Sequence, residues 1–583
     1  MEQTANLAPN ETQTIYEAWV TRYDTPTKSG RIAVRRRLRS LLELPRVSIL
    51  LPTYNPDLAL LEAALDSVRA QSYENWELCL ADDASTDPAT RPFLEGVATS
   101  DRRIRVIFRD ENRHIAAASN SALDLATGTW CALLDQDDML ARDALAWVAF
   151  EIAEHPRARL IYSDEDKIDL AGARSDPYFK SDWDPELFLA QNYINHLGVY
   201  ETGLIRTIGR FREGYEGAQD HDLVLRCLEQ IRPEQIRHIP RILYHWRSAP
   251  GSVAATPAAK PYAKETARRA LTNHLQRKNV AARVEACPEN PEAHRVVYAV
   301  SEPAPLVTII IPTRDRVALL RRCLGSIRGL TSYSCLEIIV VDNGSIEAET
   351  LEYFRQLEAD SQARIISNAE PFDFSRLNNL AAAEARGEIL AFLNNDVEAT
   401  EAGWLSEMVS HAVRPEVGAV GARLWYADET LQHGGVVLGL GGVAGHPFLR
   451  MPRGHHGYFD RAILQRLCAA VTGACLLTRR TAFVQLGGFD EENLSVDFSD
   501  IDYCLRAAEV GLATVWTPYA NLIHAESVSR GHHRTPEDQA RFFREATYMQ
   551  TRHGAALARD PFYNPNLSLQ LPGYGLAFPP RLA

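Results

Sequence analysis

Leu133-Leu134-Asp135-Gln136-Asp137-Asp138 runs two aliphatic residues straight into three carboxylates. Adjacent carboxylates repel, and a divalent cation is the simplest partner that holds them together. Phe392-Leu393-Asn394-Asn395-Asp396 repeats the construction with a single acid. A second acidic element, Gly217-Ala-Gln-Asp220-His-Asp222, opens an amphipathic run, and Ser499-Asp500-Ile-Asp502 opens another. A carboxylate so placed can take the proton of an attacking hydroxyl. It can also simply cap a helix, so neither element decides anything alone. Histidines follow both: His245 in Tyr244-His245-Trp246-Arg247, 25 residues after Asp220, and His524, 24 residues after Asp500.

The elements that must position these groups come in one order, twice. Val47-Ser-Ile-Leu-Leu-Pro-Thr-Tyr54 reads as a buried strand stopped at proline, and Val307-Thr-Ile-Ile-Ile-Pro312-Thr313 repeats it 260 positions on. Trp76 to Ala81 ends in Asp82-Asp83-Ala84-Ser85, and Leu336 to Val341 ends in Asp342-Asn343-Gly344-Ser345. Asn120 and Gly128 lead into the first acidic triplet; Asn379 and Gly387 lead into its copy. Apolar strands alternating with amphipathic helices predict a parallel sheet covered on both faces, with ligands gathered at the carboxyl ends of its strands. The aromatic stretch from Asp176 to Tyr200, which includes His196, suits either a pocket wall or core. Leu438 to Gly445 lacks the strand–turn–helix context of a dinucleotide fingerprint and reads as a flexible loop.

At 583 residues the chain is too long for one core. Its formal charge of −14 disfavours a nucleic-acid binder and any general attraction to anionic lipid, although Arg31 to Arg39 is a local basic exception. The nine cysteines show no paired spacing, which predicts a reducing cytoplasm. No signal peptide and no apolar run of membrane-spanning length are read, so any membrane contact is expected to be peripheral, at the inner face of the cytoplasmic membrane. Tyr16, Trp19 and Tyr23 give the first 45 residues one apolar face, as in a packing arm or an oligomer contact.

Together these residues resemble two fused nucleotide-sugar glycosyltransferases of family two, the inverting GT-A type, similar to tandem enzymes that build bacterial O-antigen and other surface polysaccharides. The resemblance covers roughly residues 46–260 and 306–535 and extends to the tail Asp560-Pro-Phe-Tyr-Asn-Pro-Asn-Leu567. It implies an α/β fold: a helical arm (1–45), a Rossmann-like GT-A domain (46–260), a helical or extended linker (261–305), a second GT-A domain (306–535) and a C-terminal helix and tail (536–583). Asp82 or Asp83, and Asp342, would read the nucleotide base. Pro52, Thr53, Asn120, Pro312, Thr313, Asn379 and Asn395 would line the donor sites. Asp135 and Asp137 would form the metal-binding D-x-D, with Asp135 also facing the donor; Asp396 is their counterpart. His245 and His524 would complete each metal shell, Asp220 and Asp500 would be the bases, and Arg247 and Arg530 would clamp the diphosphate. The cation is expected to be manganese or magnesium, the donors UDP- or dTDP-sugars, and the acceptor a glycan or lipid-linked glycan.

One departure sets an alternative beside this. The second copy has one acid in its metal element, so one half could be a donor- or acceptor-binding module. A nucleotide-sugar-binding scaffold without turnover is the reading from another class; retention of Asp220 and Asp500, each with its histidine, argues against it. Val471-Thr-Gly-Ala-Cys475 with Gly487-Gly-Phe-Asp490 gives the C-terminal half a rhamnosyltransferase-like cast.

Overall fold

The computed structural model describes residues 9–248, 261–525, 535–570 and 572–582. In the first half, the strands Ile104–Phe108, Trp76–Asp82, Val47–Thr53 and Trp130–Leu133 lie side by side. All four run parallel. Val47 to Leu51 and all of Trp76–Asp82 are buried, as a strand covered on both faces requires. The helices Leu58–Arg69, Thr90–Ser100, His114–Leu125 and Ala144–Glu154 supply the cover. The expected parallel sheet ends there. Gly198–Glu201 pairs antiparallel with Trp130–Leu133, and Leu160–Ile168, Ile236–Arg247 and Met139–Leu140 complete a mixed sheet.

The second half rebuilds this order strand for strand: Arg364–Ser367, Leu336–Asp342, Val307–Thr313, Ile389–Leu393, Cys475–Arg479, Val417–Trp425, Ala513–His524 and Val397–Ala399. Even the register repeats, Thr53 lying opposite Asp82 and Thr313 opposite Asp342. The repeated glycines have a steric cause. A Cβ on Gly128 would lie 2.5 Å from the Arg46 carbonyl oxygen, and one on Gly387 would lie 2.6 Å from the Thr308 nitrogen. Gly128→Ala is therefore expected to destabilise the first half by about 1–3 kcal/mol, read as a lowered denaturant midpoint; an unchanged midpoint would show that the crossing yields.

Residues 261–305 are more than a connector. The helix Pro261–Arg277 lies on the helix Gln219–Leu228, His274 Nδ1 standing 2.8 Å from Glu229. The hairpin Ala282–Ala286/His294–Tyr298 follows, and its Arg295 reaches Glu407 of the second half at 2.7 Å. The helix Pro536–Ala558 takes the matching position against Ser499–Glu509, with His553 Nε2 2.8 Å from Asp502. Each is the closing element of a repeat.

A packed seam joins the halves. Asp184 accepts from the Leu467 amide at 3.1 Å, Glu186 pairs with Arg414, and Ile463 and Leu464 are buried in the first half's core. The tail crosses this seam: Asp560 accepts from the Leu438 amide at 2.9 Å, and Asn564 donates to the buried Asp164 at 2.9 Å. His238 stands 2.9 Å from the same carboxylate. The N-terminal arm packs here too, Tyr16 and Trp19 clustering with Phe179, Tyr563 and Leu567. Leu438 to Gly445, expected as a flexible loop, is a hairpin whose Val437, Leu438 and Leu440 are buried under the tail.

Candidate active sites

A cleft of about 870 Å³ opens at the carboxyl ends of the first half's parallel strands. Pro52, Thr53, Asp83, Asp135, Asp137 and Asp220 all line it. Thr53 donates its hydroxyl to Gln136 Oε1 at 2.6 Å and the Tyr54 amide donates to the same oxygen at 2.9 Å, so the acidic loop is tied to the first strand. Asp220 sits in the first turn of Gln219–Leu228 and accepts from Asn192 Nδ2 at 2.9 Å. Its neighbour Asp222 faces inward, bound to Arg226 at 2.8 Å and to Arg212. The helix is thus locked by one carboxylate and presents the other.

Asp135, Asp138 and His196 bring one ligand atom each within 4.8 Å of one another. Asp138 is buried, accepting from Tyr244 Oη at 2.5 Å and from the Arg247 amide at 2.7 Å. Burial, reinforced by Asp135, pushes its carboxyl up to about 8. His196 stacks on Tyr244 at 4.6 Å, and its Nδ1 lies 3.2 Å from Glu165. Burial opposes the imidazolium, but Glu165, then Asp138 and Asp135, bring its pKa to about 9. Two carboxylates and an imidazole, held in surplus negative charge, fit a hard divalent cation.

In the second half Asn395 Nδ2 donates to Thr313 Oγ1 at 2.8 Å, as Gln136 is tied to Thr53. Asp500 begins its helix in the same way, accepting from the Gly473 amide at 2.6 Å and the Ile501 amide at 2.8 Å; burial raises its carboxyl above the usual range. Gly473 belongs to the Val471-Thr-Gly-Ala-Cys475 stretch, so that motif cradles the acid. Asp396 lies 3.2 Å from His524 Nε2, and the Gln432 side chain meets His524 Nδ1 at 2.8 Å.

The family model described as "Glycosyl transferase family 2" matches residues 48–205 and 308–486. This chain belongs to glycosyl transferase family 2. The uncharacterized protein y4gI of Sinorhizobium fredii is 51% identical over 93% of this chain and 60% of its own length. The O-antigen biosynthesis protein RfbC of Myxococcus xanthus is 38% identical over 93% of this chain and 42% of its own. The chain therefore spans about half the length of these relatives. The mannosyltransferase PcManGT from Pyrobaculum calidifontis, in complex with GDP-Man and Mn2+, overlays with a TM-score of 0.32 at 19% identity, covering 44% of this chain and 70% of that one. Both halves of the transferase have the GT-A fold.

Several expected site residues of this family 2 chain lie elsewhere. His245 points away from the cleft, its Nδ1 2.6 Å from the buried Asp166, because a strand alternates sides; Tyr244 and Trp246 on either side of it face the cleft. Nor does His245 correspond to His524. Gln136 and Asn395 hold the same place, so Asp138 matches Val397; Val397 pairs with His524, whereas Met139 pairs with His245. His524 stands where the first half has Trp246. Arg247 is buried and donates to the carbonyls of Asp137 at 2.7 Å and Asp169 at 3.3 Å, so it ties the acidic loop and leaves no fork for a diphosphate. Arg530 lies outside the described residues.

Asn120 exchanges hydrogen bonds with the Phe211 backbone at 2.9 and 3.1 Å, and Asn379 does so with Phe489 at 2.9 Å both ways. Both are clamps within the fold, and Asn120 is not among the residues that line the cleft. Asp82 caps its own turn through Ser85, and Asp342 does the same through the Ser345 amide at 2.8 Å. Asp83, which lines the cleft and accepts from Arg109 at 2.7 Å, corresponds instead to Asn343. His196 was expected only as part of a stretch suited to a pocket wall or core, and Asn192 and Trp246 were not singled out as site groups. Nor were Lys264 and His294, which the supposed linker adds to the cleft wall. His196 was hidden among aromatics: Tyr178, Phe179, Phe188 and Tyr193 of the same stretch are core.

Proposed function

We propose that this chain is a bifunctional inverting glycosyltransferase that moves sugars from nucleotide-diphospho-sugar donors to a growing surface glycan such as an O-antigen. The observation that carries this is the repeated strand order, with Asp220 and Asp500 each in the first turn of a helix. The acceptor hydroxyl attacks the anomeric carbon from the face opposite the diphosphate. A bond forms from its oxygen to that carbon, the bond to the diphosphate oxygen breaks, and the hydroxyl proton passes to Asp220 or Asp500. Asp135, Asp138 and His196 would hold a divalent cation, which when bound would supply positive charge to offset that of the nucleoside diphosphate. Asp83 faces the base end of the donor, and Thr53 and Gln136 fix the loop on which the acids stand. The name of the Myxococcus xanthus relative supports an O-antigen acceptor.

A second reading has the C-terminal half as a binding module. It is favoured by Asn394, Asn343 and Val397 standing where the first half has Asp135, Asp83 and Asp138. One experiment tests both readings: release of nucleoside diphosphate from a panel of UDP-, GDP- and dTDP-sugars, with manganese or chelator. His196→Ala is expected to lower metal-dependent release at the first site by roughly 10–100-fold, and His245→Ala to leave its metal dependence unchanged. The reverse pattern would return His245 to the metal site. Two donors turned over independently would exclude the binding-module reading, whereas turnover lost entirely on Asp220→Asn would favour it.

A further inference from the structure

We propose that the helix Lys28–Ser40 docks this chain on an anionic lipid bilayer. The helix is capped by Thr27, whose side chain accepts from the Gly30 amide at 3.0 Å. Val34, Leu38 and Leu41 pack it onto the first half, and Arg37 turns the same way, its guanidinium 4.1 Å over the Phe150 ring and paired with Glu154. The opposite face is a single stripe. Lys28, Arg31, Arg35 and Arg39, spaced by three and four residues, and Arg36 beside them are all exposed, and none has a partner among the described residues. Ile32 lies within the stripe, 52% exposed, and the stripe runs on to Leu42 and Leu44, at 102% and 51%.

Charge selects the occupant. Glu43, between Leu42 and Leu44, is the one acid from Thr25 to Leu44, against six Lys and Arg from 28 to 39, in a chain whose net charge is −14. The preceding acid, Asp24, is already paired with Arg174 at 2.6 Å. Unpaired cations flanked by exposed aliphatic side chains match a surface of anionic headgroups over hydrocarbon. No helix among the described residues is long and apolar enough to cross a membrane, so a lipid-linked acceptor would be met from the surface of the bilayer. A nucleic acid would meet the same cations but would leave Leu42 and Leu44 without a partner.

The test is co-sedimentation of the full chain with phosphatidylcholine vesicles, with or without phosphatidylglycerol. Binding is expected only with phosphatidylglycerol, and it should weaken as salt rises. The variant R31E/R35E/R36E/R39E should bind at least about ten-fold more weakly. The variant with lysine at those four positions should keep binding, which separates lost charge from a damaged helix, and Leu42→Ser/Leu44→Ser should weaken it at unchanged charge. Nucleoside-diphosphate release from a soluble donor should be equal in all of them, so failure of docking and failure of the enzymatic reading are told apart. Wild-type protein that ignores phosphatidylglycerol, a glutamate variant that binds as well as wild type, or retention by an oligonucleotide and not by vesicles would each overturn the proposal.

Discussion

Asp220→Asn is expected to lower transfer at the first cleft by about 10²–10⁴-fold, the range that loss of a positioned general base produces. Donor binding should survive. The amide keeps the size of the carboxylate and an oxygen that can still accept from Asn192, 2.9 Å away in the native protein. Helix anchoring belongs to Asp222, which is untouched. Single-turnover transfer and nucleotide binding, measured on the same preparation, separate the two effects. If binding falls in step with transfer, Asp220 is holding the cleft together and the base must be sought elsewhere. Asp500→Asn is the parallel change with one difference. Asp500 accepts from two backbone amides, Gly473 and Ile501, and asparagine has one acceptor oxygen. A buried amide left unpaired costs about 1–3 kcal/mol, so the second half should lose stability along with transfer.

The other large effect is expected at the seam between the halves. Asn564→Ala removes the side-chain amide that donates to Asp164 and to the Lys180 carbonyl; Asp164 is fully buried and otherwise held by His238, the Lys180 amide and Asn566. The expected cost is about 1–3 kcal/mol, seen as a lower thermal midpoint and faster proteolysis at the seam. An unchanged midpoint would mean that the tail merely rests on a preformed surface. The same network gives a pH dependence. Burial disfavours the His238 imidazolium, but Asp164 and Asp182 overcome it and bring the pKa to about 9. The folded value lies above the unfolded one of about 6.5. This stabilisation is therefore complete below about pH 6.5 and is lost as pH rises through about 9. Asn564→Ala should be most costly where His238 is no longer charged to hold Asp164.

The repeat was legible because strand ends punctuated by Asp, Pro and Gly recur at a near-constant offset, and such punctuation is written in local sequence. The side chain a residue presents was less so. His245 and His524 invited pairing as histidines, yet a one-residue shift along a strand exchanges the two faces, and only the pairing of Val397 with His524 fixes which is which. Asn120 and Asn379 recur at the expected spacing for a reason that concerns folding alone; a constant offset records a shared contact, whatever that contact does. His196 came into the metal trio from an irregular segment whose composition is that of core. Helix Pro261–Arg277 carries no motif, and only its docking on Gln219–Leu228 shows that it closes the cleft. The four parallel strands followed from apolar runs, but the antiparallel remainder depends on long-range pairings that no local pattern records.

The tie between Asp164 and Asn564 spans 400 residues of chain. At a synthesis rate of about 5–20 residues per second, Asp164 leaves the ribosome roughly 20–80 seconds before its partner exists. Over that interval the first half carries a buried-to-be carboxylate and an uncovered seam, so its folding cannot finish in the order in which it is made. A nascent chain stalled before residue 560 should hold the first half in a protease-sensitive, chaperone-bound state. Emergence of the segment around Asn564 is expected to complete that seam.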